Sequence, residues 1–153
     1  MSYDSVKMGE YLASYASRKG YYINHTKLQK LLYILYGAYL TIHNEALLNE
    51  QPKAWPYGPV FPRVQKKFAK NTKFTDADID SPEYQNMREN ASLNTLIDDV
   101  LNTFGNWTAQ ALSEWSHASG SPWARALANN NMTFNAVLAP EDIKEYFKTF
   151  MNV

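Results

Sequence analysis

The sequence predicts a mainly α-helical fold, a single compact domain over residues 1–153 with six or seven helices and one short β-hairpin around residues 47–55. Three observations carry that prediction. Apolar residues recur at helical spacing in separate stretches along the chain. Capping residues or prolines precede most of these stretches, and glycine or asparagine closes several of them. The chain has 153 residues, 45% of them hydrophobic, enough for one core that removes about 68–70% of the unfolded surface from water.

The first stripe is Met8, Tyr11, Leu12 and Tyr15, which predicts a helix over about residues 4–18 with Asp4 as cap and Gly20 just past its end. Thr26 followed by Gln29 reads as a capping box. It opens the most strongly patterned helix, about 27–43, whose apolar face is Leu28, Leu31, Leu32, Leu35 and Tyr39, widened by Tyr36 and Leu40. Its polar side carries Lys27 and Lys30, which reads as a solvated face.

Between Leu47 and Pro62 the texture changes. Pro52, Pro56, Pro59 and Pro62 interrupt helix and push their predecessors toward extended backbone. Leu47-Leu48 and Lys53-Ala54-Trp55 are expected to pair as the hairpin, with Trp55–Val60 as a compact turn after it. Pro62 opens a short helix over about 62–70. Residues 71–91 are polar and aperiodic, and read as a surface excursion with at most short helical turns.

The C-terminal half returns to helix. Leu93, Leu96, Ile97, Val100, Leu101 and Phe104 form one face ended by Gly105. Thr108 caps a helix presenting Ala111, Leu112 and Trp115. Ser121-Pro122 starts another through Trp123 and Leu127, which Asn129-Asn130-Asn131 closes. Pro140 opens the last, with Ile143, Tyr146, Phe147 and Phe150 on one face.

Charge and cysteine content narrow the function. Fifteen Lys and Arg balance fifteen Asp and Glu, against the basic excess that phosphate neutralisation requires, so nucleic acid is not expected as the main partner. The absence of cysteine removes disulfides, thiolate chemistry and cysteine-held metals. No apolar run reaches the roughly 18 residues of a membrane span, and Met1-Ser2-Tyr3-Asp4 lacks a signal-peptide pattern. A cytoplasmic protein without membrane insertion is expected.

The catalytic inventory is thin, and we expect no enzyme, no cofactor and no metal. His25, His43 and His117 have no ligand spacing. Ser113 and His117 share a helix face, but neither an orienting carboxylate nor an oxyanion hole has a signature, so His117 reads as structural. Asp76-Ala77-Asp78-Ile79-Asp80 mimics the start of a calcium loop and then fails: the sixth position is Ser81 rather than glycine, the seventh is Pro82, and the twelfth is Met87 rather than a bidentate glutamate. Asp98 and Asp99 are adjacent on a helix and diverge by about 100°, which suits solvent better than shared acid–base work. Residues 108–127 have a helix-turn-helix outline, but Arg125 is the only cation on the second helix. The unusual feature is aromatic content: 14%, with 11 tyrosines and 4 tryptophans. Most of these are core, yet Tyr and Trp also dominate binding hot spots.

Three stretches together resemble a known family. Thr26-Lys27-Leu28-Gln29-Lys30-Leu31-Leu32-Tyr33 is similar to the signature helix of the Panacea domain, found in SocA-like antitoxins of bacteria and phages. Ala54-Trp55-Pro56-Tyr57-Gly58-Pro59-Val60 resembles its Y-G-P-V turn. Leu112-Ser113, Ser116-His117 and Ser121-Pro122-Trp123 resemble a third element, with Ser116 where threonine is usual, and Asp142–Phe147 fits the closing helix. The resemblance implies an antitoxin that neutralises a cognate toxin, encoded alongside it, by direct protein–protein binding. Alternatives are a proteolytic adaptor that hands its toxin to a protease, or a phage-associated binding module without a toxin. The expected contact surface is the exposed side of Lys27, Lys30 and Tyr33 together with Trp55, Tyr57, Pro59 and Val60. The motifs also have scaffold reasons to exist, which would leave partner choice to less typical surfaces such as residues 71–91.

Overall fold

The structure, a computed structural model, describes residues 2–69 and 74–151. Among them are eight α-helices: α1 (Ser5–Arg18), α2 (His25–His43), α3 (Pro62–Phe68), α4 (Gln85–Arg88), α5 (Ala91–Phe104), α6 (Ala109–Ser116), α7 (Pro122–Asn129) and α8 (Pro140–Lys148). The helix beyond the expected six or seven is α4, a single turn inside the segment read as an excursion. Three short strands, β1 (Lys53–Trp55), β2 (Gly58–Val60) and β3 (Ala136–Val137), form an antiparallel sheet in the order β2-β1-β3.

The expected caps at Asp4, Thr108 and Ser121 are present, each side chain accepting the backbone N–H three residues on. For α2 the expectation is corrected. Asn24, not Thr26, is the cap, its Oδ1 accepting from Lys27 N–H at 2.8 Å. Asparagine satisfies that donor as well as threonine does, and the helix starts earlier, at His25. Asn24→Ala is therefore expected to cost about 1 kcal/mol and Thr26→Ala close to nothing, a difference that urea midpoints resolve.

The hairpin also lies elsewhere than expected. Leu47 and Leu48 do not pair with β1. They are buried, and the chain there bridges to Tyr3, whose N–H donates to Leu47 O and whose carbonyl accepts from Asn49 N–H. The hairpin forms instead within the supposed turn: Pro56 and Tyr57 connect β1 to β2, with Lys53 opposite Val60 and Trp55 opposite Gly58. Gly58 adopts φ +118°, a left-handed conformation that the tight connection requires.

α2 is the axis of the fold. Every residue from Lys27 to Leu40 is buried, because α5, α6 and α8 pack along it and β2 crosses it. At Gly37 the Phe147 ring of α8 occupies the space a Cβ would fill. Phe147 is itself fully buried, edge-on to Tyr33 at 5.7 Å and to Trp115 at 6.1 Å. Residues 71–73 lie outside the described residues. The remainder of the supposed excursion is anchored, with Phe74, Ile79, Tyr84 and Met87 buried and Arg88 donating to the Ile79 carbonyl at 2.9 Å. Scattered single apolar anchors of this kind carry no period, which is why pattern alone reads them as surface.

Candidate functional site

The stretches that carry the family resemblance meet in space, and they meet on the β1–β2 hairpin. Lys30 of α2 donates its ammonium to the Pro59 carbonyl at 2.9 Å. One position earlier, Gln29 clamps Phe61 from both sides: its Nε2 donates to Phe61 O at 3.1 Å and its Oε1 accepts from Phe61 N–H at 2.9 Å. Ser113 of α6 donates to the Tyr57 carbonyl, and the Trp123 indole of α7 donates to the Trp55 carbonyl at 2.6 Å. The carbonyls of residues 55, 57, 59 and 61 thus alternate as acceptors for side chains from three helices. A two-stranded ribbon this short is not stable alone in water, so these donors are what fix it.

Close approach completes the clasp. A Cβ at Gly58 would lie 2.6 Å from Ser116 Oγ and 3.3 Å from Lys30 Nζ, so only glycine lets the strand sit so near both. Trp55 is held on its other side by Asn135, whose Oδ1 accepts from the indole at 3.1 Å.

These contacts correct the expectation of a solvated Lys27–Lys30 face. Lys30 is 2% exposed, Lys27 is 5% exposed with its ammonium on the Gly105 carbonyl, and Tyr33 is 1% exposed beneath Phe147. The physical reason is that α2 is enclosed on all sides, and backbone carbonyls take the place of water around both ammonium groups. Pro59 and Val60 are buried as well, and Trp55 is half-buried. Of the seven candidate contact residues Tyr57 is the most open, 76% exposed at the hairpin tip.

Beside the hairpin lies a cleft of about 520 Å³ between the N-terminal turn of α2, β2 and α6. Lys30 and Gln29 line its α2 side, Ala109 and Ser113 its α6 side, and Tyr57 stands at the rim. His25 and His117 also line it, and the Nδ1 of each is buried without a hydrogen-bond partner among the described residues. From sequence alone neither histidine points to a site, since nothing in their spacing shows that α2 and α6 pack side by side. The Ser113–His117 pairing that their helical spacing allows is not made: the Ser113 hydroxyl goes to Tyr57, and the His117 ring packs on Trp123 at 5.3 Å.

Burial with a single carbonyl partner pushes the Lys30 amine down to about 8. The consequence for stability has a definite sign. Between about pH 8 and 10.4 the unfolded chain keeps its lysine protons while folded Lys30 has released its own, so stability rises with pH across that window. A shift of this size corresponds to an effect on the order of 3 kcal/mol over the full window. Wild-type urea midpoints are expected to climb from about pH 7.5 to 9.5, and those of Lys30→Met to climb less, the remaining rise coming from Lys27, which burial also lowers. Above about pH 10 the trend reverses, because burial raises Tyr11, Tyr33 and Tyr36 and their ionisation favours the unfolded chain.

The other acidic clusters have local roles. Asp80 of the calcium-loop mimic pairs with Arg18 at 3.0 Å, and Asp98 accepts from the Tyr15 hydroxyl at 2.7 Å. No helix among the described residues is long and apolar enough to cross a membrane.

With this geometry in hand, comparison with known proteins gives two matches. The family model described as antitoxin SocA-like, Panacea domain, matches residues 28–124, a span that includes the signature stretch of α2 from Leu28 on, the hairpin and the Ser113–Trp123 clasp. The chain is also 32% identical over 143 aligned positions to the antitoxin SocA of Caulobacter vibrioides (strain NA1000 / CB15N), covering 82% of this chain and 72% of that protein. No solved structure matches.

Proposed function

The chain belongs to the family of SocA-like antitoxins built on the Panacea domain, and from that premise we propose that it neutralises a cognate toxin by direct protein contact, docking it on the face formed by the β1–β2 hairpin and α6. The observation that carries this reading is the hairpin clasp. Side chains from α2, α6 and α7 are used to hold one short ribbon in place, and the ribbon's tip presents Tyr57 to solvent. A large aromatic on a preorganised support is the pattern of an interface anchor, since little conformational entropy remains to be lost on binding. Ser113 and His117, the nearest approach to a nucleophile and base, are engaged in holding the structure, which supports a role without bond-making chemistry.

The test is co-expression with the protein encoded beside this chain. Wild type is expected to restore growth and to co-purify with the toxin, and Tyr57→Ala, whose side chain contributes little to the fold, to lose both. Full protection by Tyr57→Ala would remove the hairpin tip from the interface. A neighbour that is harmless alone, or that never co-purifies, would defeat the toxin reading. Protection accompanied by a fall in toxin level would replace sequestration with delivery to a protease.

A further inference from the structure

We propose that the cleft between α2, β2 and α6 is a carboxylate-binding site, which receives an Asp or Glu side chain or the C-terminal carboxylate of a protein partner. The assignment deepens the binding-module reading above and rests on it.

The cleft is lined by a buried ammonium, that of Lys30, in a chain that is neutral overall. The Lys30 ammonium reaches its floor with one carbonyl for a partner, and no carboxylate among the described residues pairs with it. A buried cation without an anion is costly to maintain, and a bound carboxylate would supply the missing counter-charge and accept one of its two remaining protons.

The first turn of α2 and one face of α6 border the cleft. His25 and Thr26 are the first residues of α2, and Ala109 and Gln110 the first of α6; all four line the cleft. The Asn24 and Thr108 caps accept from Lys27 and Ala111 N–H, so the earlier N–H groups of each first turn have no intrahelical acceptor. The first turn of α2 therefore adds its dipole to the Lys30 charge, while α6 borders the cleft along its length from Ala109 to the C-cap His117. His25 at the start of α2 and His117 at the end of α6 also border the cleft, and among the described residues the buried Nδ1 of each has no partner. Among the described residues the one acid in the lining is Glu114, an exposed residue that accepts from Gln110 Nε2 at 3.2 Å.

The occupant's class follows from these proportions. A single ammonium, with no arginine among the described residues of the lining, matches a singly charged acid better than a phosphate, which favours several cations or a bidentate fork. Val60 and Ala109 give the wall apolar area, and exposed Tyr57 stands at the mouth, so the atoms flanking the carboxylate are met by the surfaces that protein interfaces use.

Amide chemical shifts of the labelled, toxin-free protein test this directly. The probes are a capped Ala-Glu-Ala peptide, an acetylated Ala-Leu-Ala peptide with a free C-terminus, a capped Ala-Gln-Ala peptide and inorganic phosphate. At least one carboxylate peptide is expected to give saturable shifts at His25, Thr26, Ala109 and Gln110, and which of the two does so identifies the source of the carboxylate. Lys30→Met is expected to weaken binding tenfold or more. Gln110→Glu, a change at an exposed position that leaves the core untouched, is expected to weaken it several-fold. Equal shifts from the neutral peptide, saturation by phosphate alone, no response to either carboxylate, or unchanged affinity in Gln110→Glu would each overturn the assignment. Because no toxin is in the sample, peptide binding by a chain that never captures a toxin would leave this site standing and remove only the toxin reading.

Discussion

Phe147→Ala is expected to destabilise the protein by about 3–5 kcal/mol. The ring is fully buried and holds α8 against α2. It lies over Gly37, where α2 has no side chain, and is ringed by Tyr33, Trp115, Tyr146 and Phe150. Truncation leaves a cavity bounded on one side by helix backbone, which cannot move in to fill it, so relaxation recovers little of the loss. Phe150 is the internal control: it belongs to the same aromatic cluster but is 46% exposed, and Phe150→Ala is expected to cost less than about 1.5 kcal/mol. Urea denaturation of both variants decides the matter. Similar losses would mean that α8 is not seated through Phe147.

Gly58→Ala is expected to lose about 2–5 kcal/mol and, with it, partner binding. Two independent costs add. The backbone at φ +118° is strained for any residue with a Cβ, and the added methyl would lie 2.6 Å from Ser116 Oγ and 3.3 Å from Lys30 Cε and Nζ. Relief requires the ribbon to lift off α2 and α6, which breaks the Lys30–Pro59 and Ser113–Tyr57 bonds together. Gly120 separates the two costs. Its φ is +79° and no atom lies within 4 Å of where a methyl would stand, so Gly120→Ala carries the backbone strain alone, about 1–2 kcal/mol. Thermal or urea unfolding checks the stability difference, and co-purification checks the binding. If Gly58→Ala matched Gly120→Ala in both, the close approach at the hairpin would be irrelevant.

What is legible in the sequence follows from how local each signal is. The caps at Asp4, Thr108 and Ser121 and the Pro-started helices α3, α7 and α8 are settled within four residues of chain, and they form where local chemistry says they should. Asn24 is hidden because Thr26 offers a rival cap two positions later with a well-placed Gln29 behind it. That glutamine instead reaches across the fold to Phe61, a contact 32 residues away. The hairpin is displaced for the same kind of reason: Leu47-Leu48 look like a strand, but their burial is satisfied against the core and Tyr3. β3 pairs with β1 across more than 80 residues and carries no turn signal that links the two.

The candidate site divides in the same way. Lys30, Tyr57, Pro59 and Val60 are all marked by sequence motifs, and all of them meet at the clasp. Pattern alone puts Lys27, Lys30 and Tyr33 at the surface, because a lysine pair on an amphipathic helix normally marks the wet side. Whether a polar stripe faces water depends on what else packs there, and here the hairpin and the Gly105 carbonyl cover it. His25, at the start of α2, and His117, at the end of α6, enter the site only through the packing of α6 against α2, a tertiary fact without a local trace.

Hydrogen exchange of the chain, measured alone and saturated with the toxin it neutralises, most directly interrogates the claim that the hairpin–α6 face is where a partner is held. Slowed exchange at residues 55–60 and 109–117, with little change in α5 and α8, is the expected pattern. Protection concentrated on the α5–α8 side or on residues 130–137, with the hairpin amides unaltered, would contradict it.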